Sequence, residues 1–554
     1  MEGVLLAPTR ASGQADWQVV MQQLRQEVAQ LRQEVRHLRR ENLELRQQVG
    51  YWKAQHARAV QRLRNVEAEV ERLQGENRQL QSQLFGRQSE KSSSVDRTNV
   101  LDGEEEETSP PRQRGQQPDR PGPGRRDYRH LPVEEELRVL PEEQRVCPQC
   151  GKALTPSATE DSEQIEIEVR AYRRRIRRRR YQRTCSCSGC PRTVTAPPPP
   201  KLIPKGLLGV SVWVEILLDK FFSQRPTERL LAQWRLLGLD LAPGTVTDGL
   251  QRLEPLFRPV YEALLARNAQ SGYVQADETR WLVFIVQEGK TGHCWWLWVF
   301  VGPDTVVFRL DPHRSHDVPE GHFAADARVV LMVDRYAAYK AMAQVKLGHI
   351  VLVFCWAHVR RDFVQVGKSW PRLKEWALLW LRHIRDLYRQ QRQRLAHPAG
   401  SAAFAAAAAA LRQRLAVMQT QAATELADPQ LHPRCRHVLE SLQEHWAGLT
   451  RFVDDVRIPL DNNASERRQR GPAVGRKNYY GSGALWSGRL AAMLFTLFAT
   501  LGLWNLNPRK WLTWFLQRCA EAGGQAPKDI TPFLPWNLDA EQRRLLASEP
   551  ADSS

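Results

Sequence analysis

The chain is 554 residues long, enough for about three to five domains at roughly 100–200 residues each. Its 42% hydrophobic content is close to the globular norm and excludes collagen-like, silk-like and wholly disordered chains. Lysine and arginine number 80 against 62 aspartates and glutamates; a net charge of +18 points to a polyanionic partner, nucleic acid first.

A membrane protein is not expected. The longest charge-free apolar stretch, Leu490 to Trp504, has fifteen residues and is interrupted by Thr496 and Thr500, so it predicts a buried helix. The start, Met1-Glu2-Gly3, lacks a basic segment followed by an apolar one, so no secretory signal is expected and the protein is read as cytoplasmic. Of nine cysteines, five fall between Cys147 and Cys190, a clustering that points to metal rather than to disulfides.

Residues 17–85 carry a heptad repeat. Leu24, Leu31, Leu38 and Leu45 are seven apart, and the register continues through Trp52, Ala59, Val66, Leu73 and Leu80. The companion positions run Met21, Val28, Val35, Asn42, Val49, His56, Leu63, Val70, Asn77 and Leu84. A period of 3.5 without a phase break predicts a left-handed coiled coil and hence a homo-oligomer. Asn42 and Asn77 fall at seam positions where a polar residue fixes register and favours two strands. Residues 86–127, with Ser92-Ser93-Ser94, the acidic run Glu104 to Glu107 and five prolines, read as a disordered linker.

Residues 128–195 predict a small zinc-stapled module. Cys147 and Cys150 form one C-x-x-C pair and Cys187 and Cys190 a second, the set for a closed tetrahedral zinc site, with Cys185 an alternative to Cys187. Between the pairs stand Arg170, Arg173, Arg174, Arg175, Arg177, Arg178, Arg179, Arg180 and Arg183. A run this dense self-repels unless it is solvated or opposed by anions, and beside a zinc knuckle it favours phosphate contact. After the rigid spacer Pro197 to Pro200, residues 196–270 are helical. A helix over Thr227 to Leu236, a turn at Gly238 and a helix capped by Thr245 are compatible with a helix-turn-helix, and equally with an ordinary helical hairpin.

Residues 271–365 change to strand character. Trp281 to Gln287, Cys294 to Val301 and Thr305 to Leu310 predict an antiparallel meander. Arg328 to Val333 is a buried-type strand ending at Asp334; a helix from Ala337, the strand His349 to Cys355 and a helix bearing His358, Arg360 and Arg361 follow. Strands first, then alternation, is the order of a ribonuclease-H-like α/β domain. Residues 366–450 read as a helical insertion, 451–520 as the second part of the same domain, and 521–554 as a tail. The fold class is therefore multidomain α and α/β.

Three carboxylates stand out. Asp277 lies at a strand end in Ala276-Asp277-Glu278-Thr279, Asp334 closes an apolar strand, and Glu466 sits on a helix that Asp461 or Asn462 can cap. An acid at the tip of an apolar strand is costly to desolvate without a cation or hydrogen bonds. Three brought together repel until a divalent cation neutralises them, and Mg²⁺ takes oxygen ligands. Taken singly, each acid serves equally as a cap or an ion-pair partner. Cys355 and His358 have metal-like spacing but read as a strand-end core cysteine and a nearby DNA-facing or packing histidine, and His293 and Cys294 read as structural. Arg360, Arg361, Arg467, Arg476 and Lys477 flank the acids and either contact phosphates or balance the carboxylates.

An ordered set of motifs resembles the transposases of the insertion-sequence 66 family. It comprises Leu84-Phe85-Gly86-Arg87-Gln88-Ser89-Glu90-Lys91, the paired cysteines, Leu202-Ile203-Pro204-Lys205-Gly206 and Ala276-Asp277-Glu278-Thr279. It continues with Val333-Asp334-Arg335-Tyr336-Ala337-Ala338-Tyr339, Cys355-Trp356-Ala357-His358-Val359-Arg360-Arg361, Asp461-Asn462-Asn463-Ala464-Ser465-Glu466-Arg467 and Gly475-Arg476-Lys477-Asn478. The resemblance implies a DDE triad of Asp277, Asp334 and Glu466, separated by 57 and 132 residues. It implies two Mg²⁺ (or Mn²⁺) ions, cleavage at element ends and transfer of the 3′-hydroxyl into target DNA, with accessory proteins of the same element as further partners. Where the family shows one clean C-x-x-C, Cys185-Ser186-Cys187 leaves the ligand choice open. Two rival functions remain beside it: a non-catalytic DNA-binding or regulatory derivative, and a metal-dependent nuclease that cuts without joining.

Overall fold

The computed structural model describes residues 13–85, 133, 149, 169–182, 193–286 and 292–548. The five clustered cysteines, the linker 86–127 and Arg183 lie outside the described residues. The chain divides into two compact units, residues 1–91 with 364–377, and residues 92–363 with 378–554.

In the first unit the dominant element is one uninterrupted helix, α1 (Gly13–Phe85), 73 residues long. No proline interrupts it. Its heptad leucines and valines are not covered by this chain: Leu24, Leu31, Leu38, Leu45, Val66 and Leu73 are all exposed. Asn42 and Asn77 are exposed on the same helix.

The second unit begins with a two-stranded antiparallel ladder, β1 (Arg180–Gln182) against β2 (Thr193–Thr195). Helices α2 (Val210–Leu217), continued by a π turn over Leu218–Phe222, α3 (Thr227–Leu236) and α4 (Pro243–Ala269) follow. Gly238, with φ of +76°, makes the turn after α3 as expected. The next helix starts two residues before Thr245 and runs to Ala269; Pro243 occupies its first turn, where a missing N–H costs nothing. Most of α4 is core: Val246, Leu250, Leu253, Phe257, Val260 and Leu264 are buried.

A six-stranded mixed sheet follows, ordered β5-β4-β3-β6-β7, with β8 pairing the far end of β3 beyond its contact with β6. Its strands are β3 (Tyr273–Val283), β4 (Cys294–Val301), β5 (Val306–Asp311), β6 (Val329–Val333), β7 (Ile350–Phe354) and β8 (Gly481–Ser482). β3, β4 and β5 form the antiparallel meander, while β6 runs parallel to β3 and β7 parallel to β6. The expected strand Trp281 to Gln287 and its lead-in are one strand, Tyr273–Val283. The interposed Asp277 to Arg280 does not break it, because all four pair with β4.

The short helices α5 (Asp317–Glu320), α6 (Ala337–Ala341) and α7 (Ala343–Lys346) link strands β5 to β7. Then come α8 (Trp356–Ser369), α9 (Lys374–Leu395), α10 (Ala402–Ala427), α11 (Pro433–Glu444) and α12 (Trp446–Thr450). The chain returns to the sheet as α13 (Asn463–Tyr479), β8, α14 (Leu485–Leu503), α15 (Pro508–Glu521) and α16 (Ala540–Leu546). The apolar stretch read as a buried helix is α14, packed between β5 and α4. Trp281, Phe308 and Phe495 meet there edge to face, with ring centroids 5.8 Å apart in both pairs made by Phe495. Of the segment read as a tail, residues 521–548 are described and contribute to this core: Phe533, Leu534, Leu538 and Leu546 are buried in it.

Candidate active site

The parallel pairing of β3 with β6 runs through Tyr273↔Val330, Val274↔Leu331 and Gln275↔Met332 and stops there. Two residues further along each strand stand Asp277 and Asp334, so the same register sets the two aspartates level on neighbouring strands. Asp277 is therefore not at the end of β3, as expected from sequence, but just past the end of its pairing with β6. β8 rejoins that edge of β3 only at Leu282.

Helix α13 covers the gap. Near its start the Ser465 N–H donates to Gln275 Oε1 (3.4 Å), and near its end Arg476 Nη1 donates to Thr279 Oγ1 (3.0 Å) and to the Arg280 carbonyl (2.5 Å). The helix thus runs along β3, with Glu466 in its first turn at the Asp277 end. Asn462 is the N-cap residue but caps with backbone only, while Asp461 Oδ1 accepts from the Asn463 N–H (3.2 Å). The Asn462 N–H donates to the buried Cys355 Sγ (3.4 Å), which ties the helix start to the end of β7.

The electrostatics mark one centre. Burial pushes the Asp277 carboxyl well above the carboxylate range, and the charges of Glu278, Asp334 and Glu466 push it further. Its Oδ1 accepts from the Glu278 N–H (2.9 Å), and Asp334 Oδ1 accepts from the Tyr336 N–H (2.9 Å). Glu466 Oε1 lies 3.9 Å from both His358 Nε2 and Arg361 Nη2. Burial and then Arg361 lower the His358 imidazole to about 4, so it is neutral near pH 7. His358, read from sequence as DNA-facing or packing, borders Glu466, whereas Cys355 is core as expected; its thiol is pushed up to about 11, chiefly by burial.

Among the described residues no three His, Cys, Asp or Glu side chains converge closely enough to hold one metal ion. The donor set nevertheless suits a hard divalent cation: carboxylate oxygens only, with mutual repulsion that no adjacent cation cancels at Asp277.

The flanking basic residues divide into two kinds. Arg361, Arg467 and Lys477 are exposed, Arg360 is half-buried, and Arg476 is spent on β3. Arg173, Arg174, Arg175, Arg177, Arg178, Arg179 and Arg180 lie on an exposed segment entering β1. Of these, Arg178 donates to the Ala196 carbonyl (3.3 Å) and Arg180 to Thr195 Oγ1 (3.4 Å).

Sequence reasoning passed over Glu278, Arg314 and Tyr339. Glu278 Oε1 accepts from Arg314 Nε (2.8 Å) and Nη2 (2.6 Å), and its Oε2 from the Tyr339 hydroxyl (2.7 Å). Its side chain is 1% exposed. Only the placement of an acid directly beside Asp277 hinted at it; its partners are 36 and 61 residues away.

The mixed sheet with its covering helices is an α/β architecture compatible with a catalytic domain. The particular family follows from comparison. Residues 205–490 match the Transposase IS66 family, and the chain belongs to that family. Three Sinorhizobium fredii (strain NBRC 101917 / NGR234) proteins are similar to it. Uncharacterized protein y4jD is 29% identical over 423 residues, covering 73% of this chain and 80% of the relative. Uncharacterized protein y4qI is 27% identical over 445 residues (76% and 79%), and uncharacterized protein y4hP is 25% identical over 434 residues (73% and 75%).

Proposed function

We propose that this chain is a DNA transposase that cleaves at the ends of an insertion sequence and transfers the 3′-hydroxyl to target DNA. The observation that carries the reading is the register that sets Asp277 and Asp334 two residues past the β3–β6 pairing, with Glu466 in the first turn of α13 near enough for its charge to act on Asp277. The strand order β5-β4-β3-β6-β7 supports a ribonuclease-H-like catalytic domain, with α9 to α12 inserted before the glutamate. Asp277, Asp334 and Glu466 would hold Mg²⁺ or Mn²⁺, which supplies Lewis-acid charge and lowers the pKa of an attacking water or 3′-hydroxyl. Arg361 and Arg467, exposed beside Glu466, meet backbone phosphates and steer the scissile strand toward the acids. His358, neutral near pH 7, borders Glu466 without placing a positive charge beside it.

The other parts follow the same logic. The exposed heptad seam of α1 supports pairing with a second copy, which would hold two element ends together. Cys147, Cys150, Cys187 and Cys190, with Cys185 as the alternative, would bind structural Zn²⁺. The arginine segment beside them would bind double-stranded DNA by charge. Accessory proteins of the same element remain further partners.

The test is a cleavage and strand-transfer assay on labelled DNA from the flanks of the encoding element, with Mg²⁺ or EDTA, for wild type and Asp334→Ala. Joined products that need metal and vanish in the variant are expected. Nicks without joining would make the chain a nuclease. DNA binding by both proteins with no cleavage by either would favour the regulatory reading.

A further inference from the structure

We propose that Glu278 and Arg314 form a charge-paired brace that positions the two aspartates and sets how tightly they bind a divalent cation. The proposal rests on the carboxylate-site reading above.

The pairing of β3 with β6 ends before either aspartate, so no ladder bond holds Asp277 and Asp334 at a fixed separation. A closed chain of contacts spans the gap instead. One oxygen of each aspartate is held by a backbone N–H: Asp277 Oδ1 by Glu278, Asp334 Oδ1 by Tyr336. The side chains of those two holders are joined through Arg314. Its guanidinium makes two bonds to Glu278 Oε1, and its carbonyl accepts from the Tyr336 hydroxyl (2.8 Å). The guanidinium also lies over the Tyr336 ring, 3.9 Å from its centroid, and 4.8 Å from that of Trp296. Tyr339, fully buried and edge-on to Trp298, fixes the other oxygen of Glu278.

Three consequences follow. Glu278 has both oxygens occupied and is not free to ligate an ion, so it is a positioning residue. The second oxygen of each aspartate carries no such bond and is left for a cation. Finally, the Arg314 charge is cancelled by Glu278 at a place where it would otherwise compete with a cation for Asp334. The two members of the pair therefore act on cation affinity with opposite signs, which a plain structural ion pair does not do.

The experiment measures Mn²⁺ binding to the full-length chain by isothermal titration calorimetry, alongside strand transfer, with folding checked by circular dichroism. Binding sensitive to Asp334→Asn defines the site. Glu278→Gln frees the Arg314 charge and is expected to weaken Mn²⁺ about tenfold or more, within the range for residues that orient metal ligands. Arg314→Gln adds an unpaired carboxylate and is expected to bind Mn²⁺ at least as tightly as wild type, yet to lose strand transfer by about 10–100-fold because the brace is gone. The double variant Glu278→Gln/Arg314→Gln, with charge again balanced, recovers Mn²⁺ binding but not strand transfer. Arg314→Lys keeps the charge without the two-bond fork and falls between. Equal weakening by both single variants with no recovery in the double would reduce the pair to a structural contact and overturn the proposal. So would wild-type binding and joining in all of them. Mn²⁺ binding unchanged by Asp334→Asn would instead overturn the triad reading itself, and the brace with it.

Discussion

His322 shows how strongly this interior selects a protonation state. It stacks on Phe300 at 3.8 Å between centroids, and its Nε2–H donates to Asn268 Oδ1 (2.8 Å). Burial, and then Arg309, lower its pKa to about 3, against about 6.5 in an unfolded chain. Between those values the unfolded chain takes up a proton that the folded one refuses. The contribution to stability is thus whole above about pH 6.5 and is lost as pH falls toward 3, by about 1.4 kcal/mol per pH unit. Urea unfolding at pH 7, 6 and 5 should show this slope in wild type and a flatter one in His322→Gln; equal slopes would refute it. At the same scale, the site was only half legible in the sequence. Asp277 and Asp334 stood out as acids at strand ends, Asp334 after an apolar run, and Glu466 as an acid on a helix with a ready cap. Glu278, Arg314 and Tyr339 did not, since a brace assembled from three separate segments leaves no local pattern. The approach of His358 to Glu466 was equally illegible, since the two lie over a hundred residues apart in the chain.

The elements themselves were more legible, because period and turn chemistry are local. The meander, the two parallel strands and α1 all lie close to where alternation and heptads put them. The continuity of β3 was missed because Asp277 to Arg280 are polar and look like a break, yet each is paired with β4. The role of Thr496 and Thr500 could not be read from α14 alone. β5 is an edge strand, and its outward N–H groups are answered by that helix: Phe308 N–H donates to Thr496 Oγ1 (2.8 Å) and Val306 N–H to Thr500 Oγ1 (3.0 Å). The two threonines in an apolar run are therefore the cover of a sheet edge. Thr496→Val keeps the shape and strands a buried N–H, which costs about 1–3 kcal/mol. Thr496→Ser keeps the hydroxyl and should recover most of that in chemical denaturation. On α4, Gly249 lies flush with the buried Trp213 ring, where a Cβ would overlap it. Gly249→Ala gains up to about 1 kcal/mol of helix propensity but overpacks by about 1–3 kcal/mol. A lowered melting temperature is expected, and a raised one would show that the indole yields.

At the scale of the molecule, the long helix and the acid-bearing unit pose separate physical problems. A catalytic unit buries its apolar residues internally, as the shared core of α2, α4, α14 and α15 does. Helix α1 does not: Leu24, Leu31, Leu38, Leu45, Val66 and Leu73 stand in water, an arrangement that a partner helix would stabilise. Asn42 and Asn77, exposed on the same helix, would fix one register of such a pairing. Sedimentation of the full chain should therefore give an oligomer, and of a chain lacking residues 1–91 a monomer whose second unit keeps its far-ultraviolet and near-ultraviolet signatures. Asn42→Leu should raise the melting temperature of the helical assembly and admit higher oligomers beside the dimer, since the apolar seam no longer penalises them. An oligomer that survives removal of residues 1–91 would place self-association in the second unit. A monomeric full-length chain would mean that the seam meets another protein instead, and pairing of two element ends would then have to come from the DNA or from that protein.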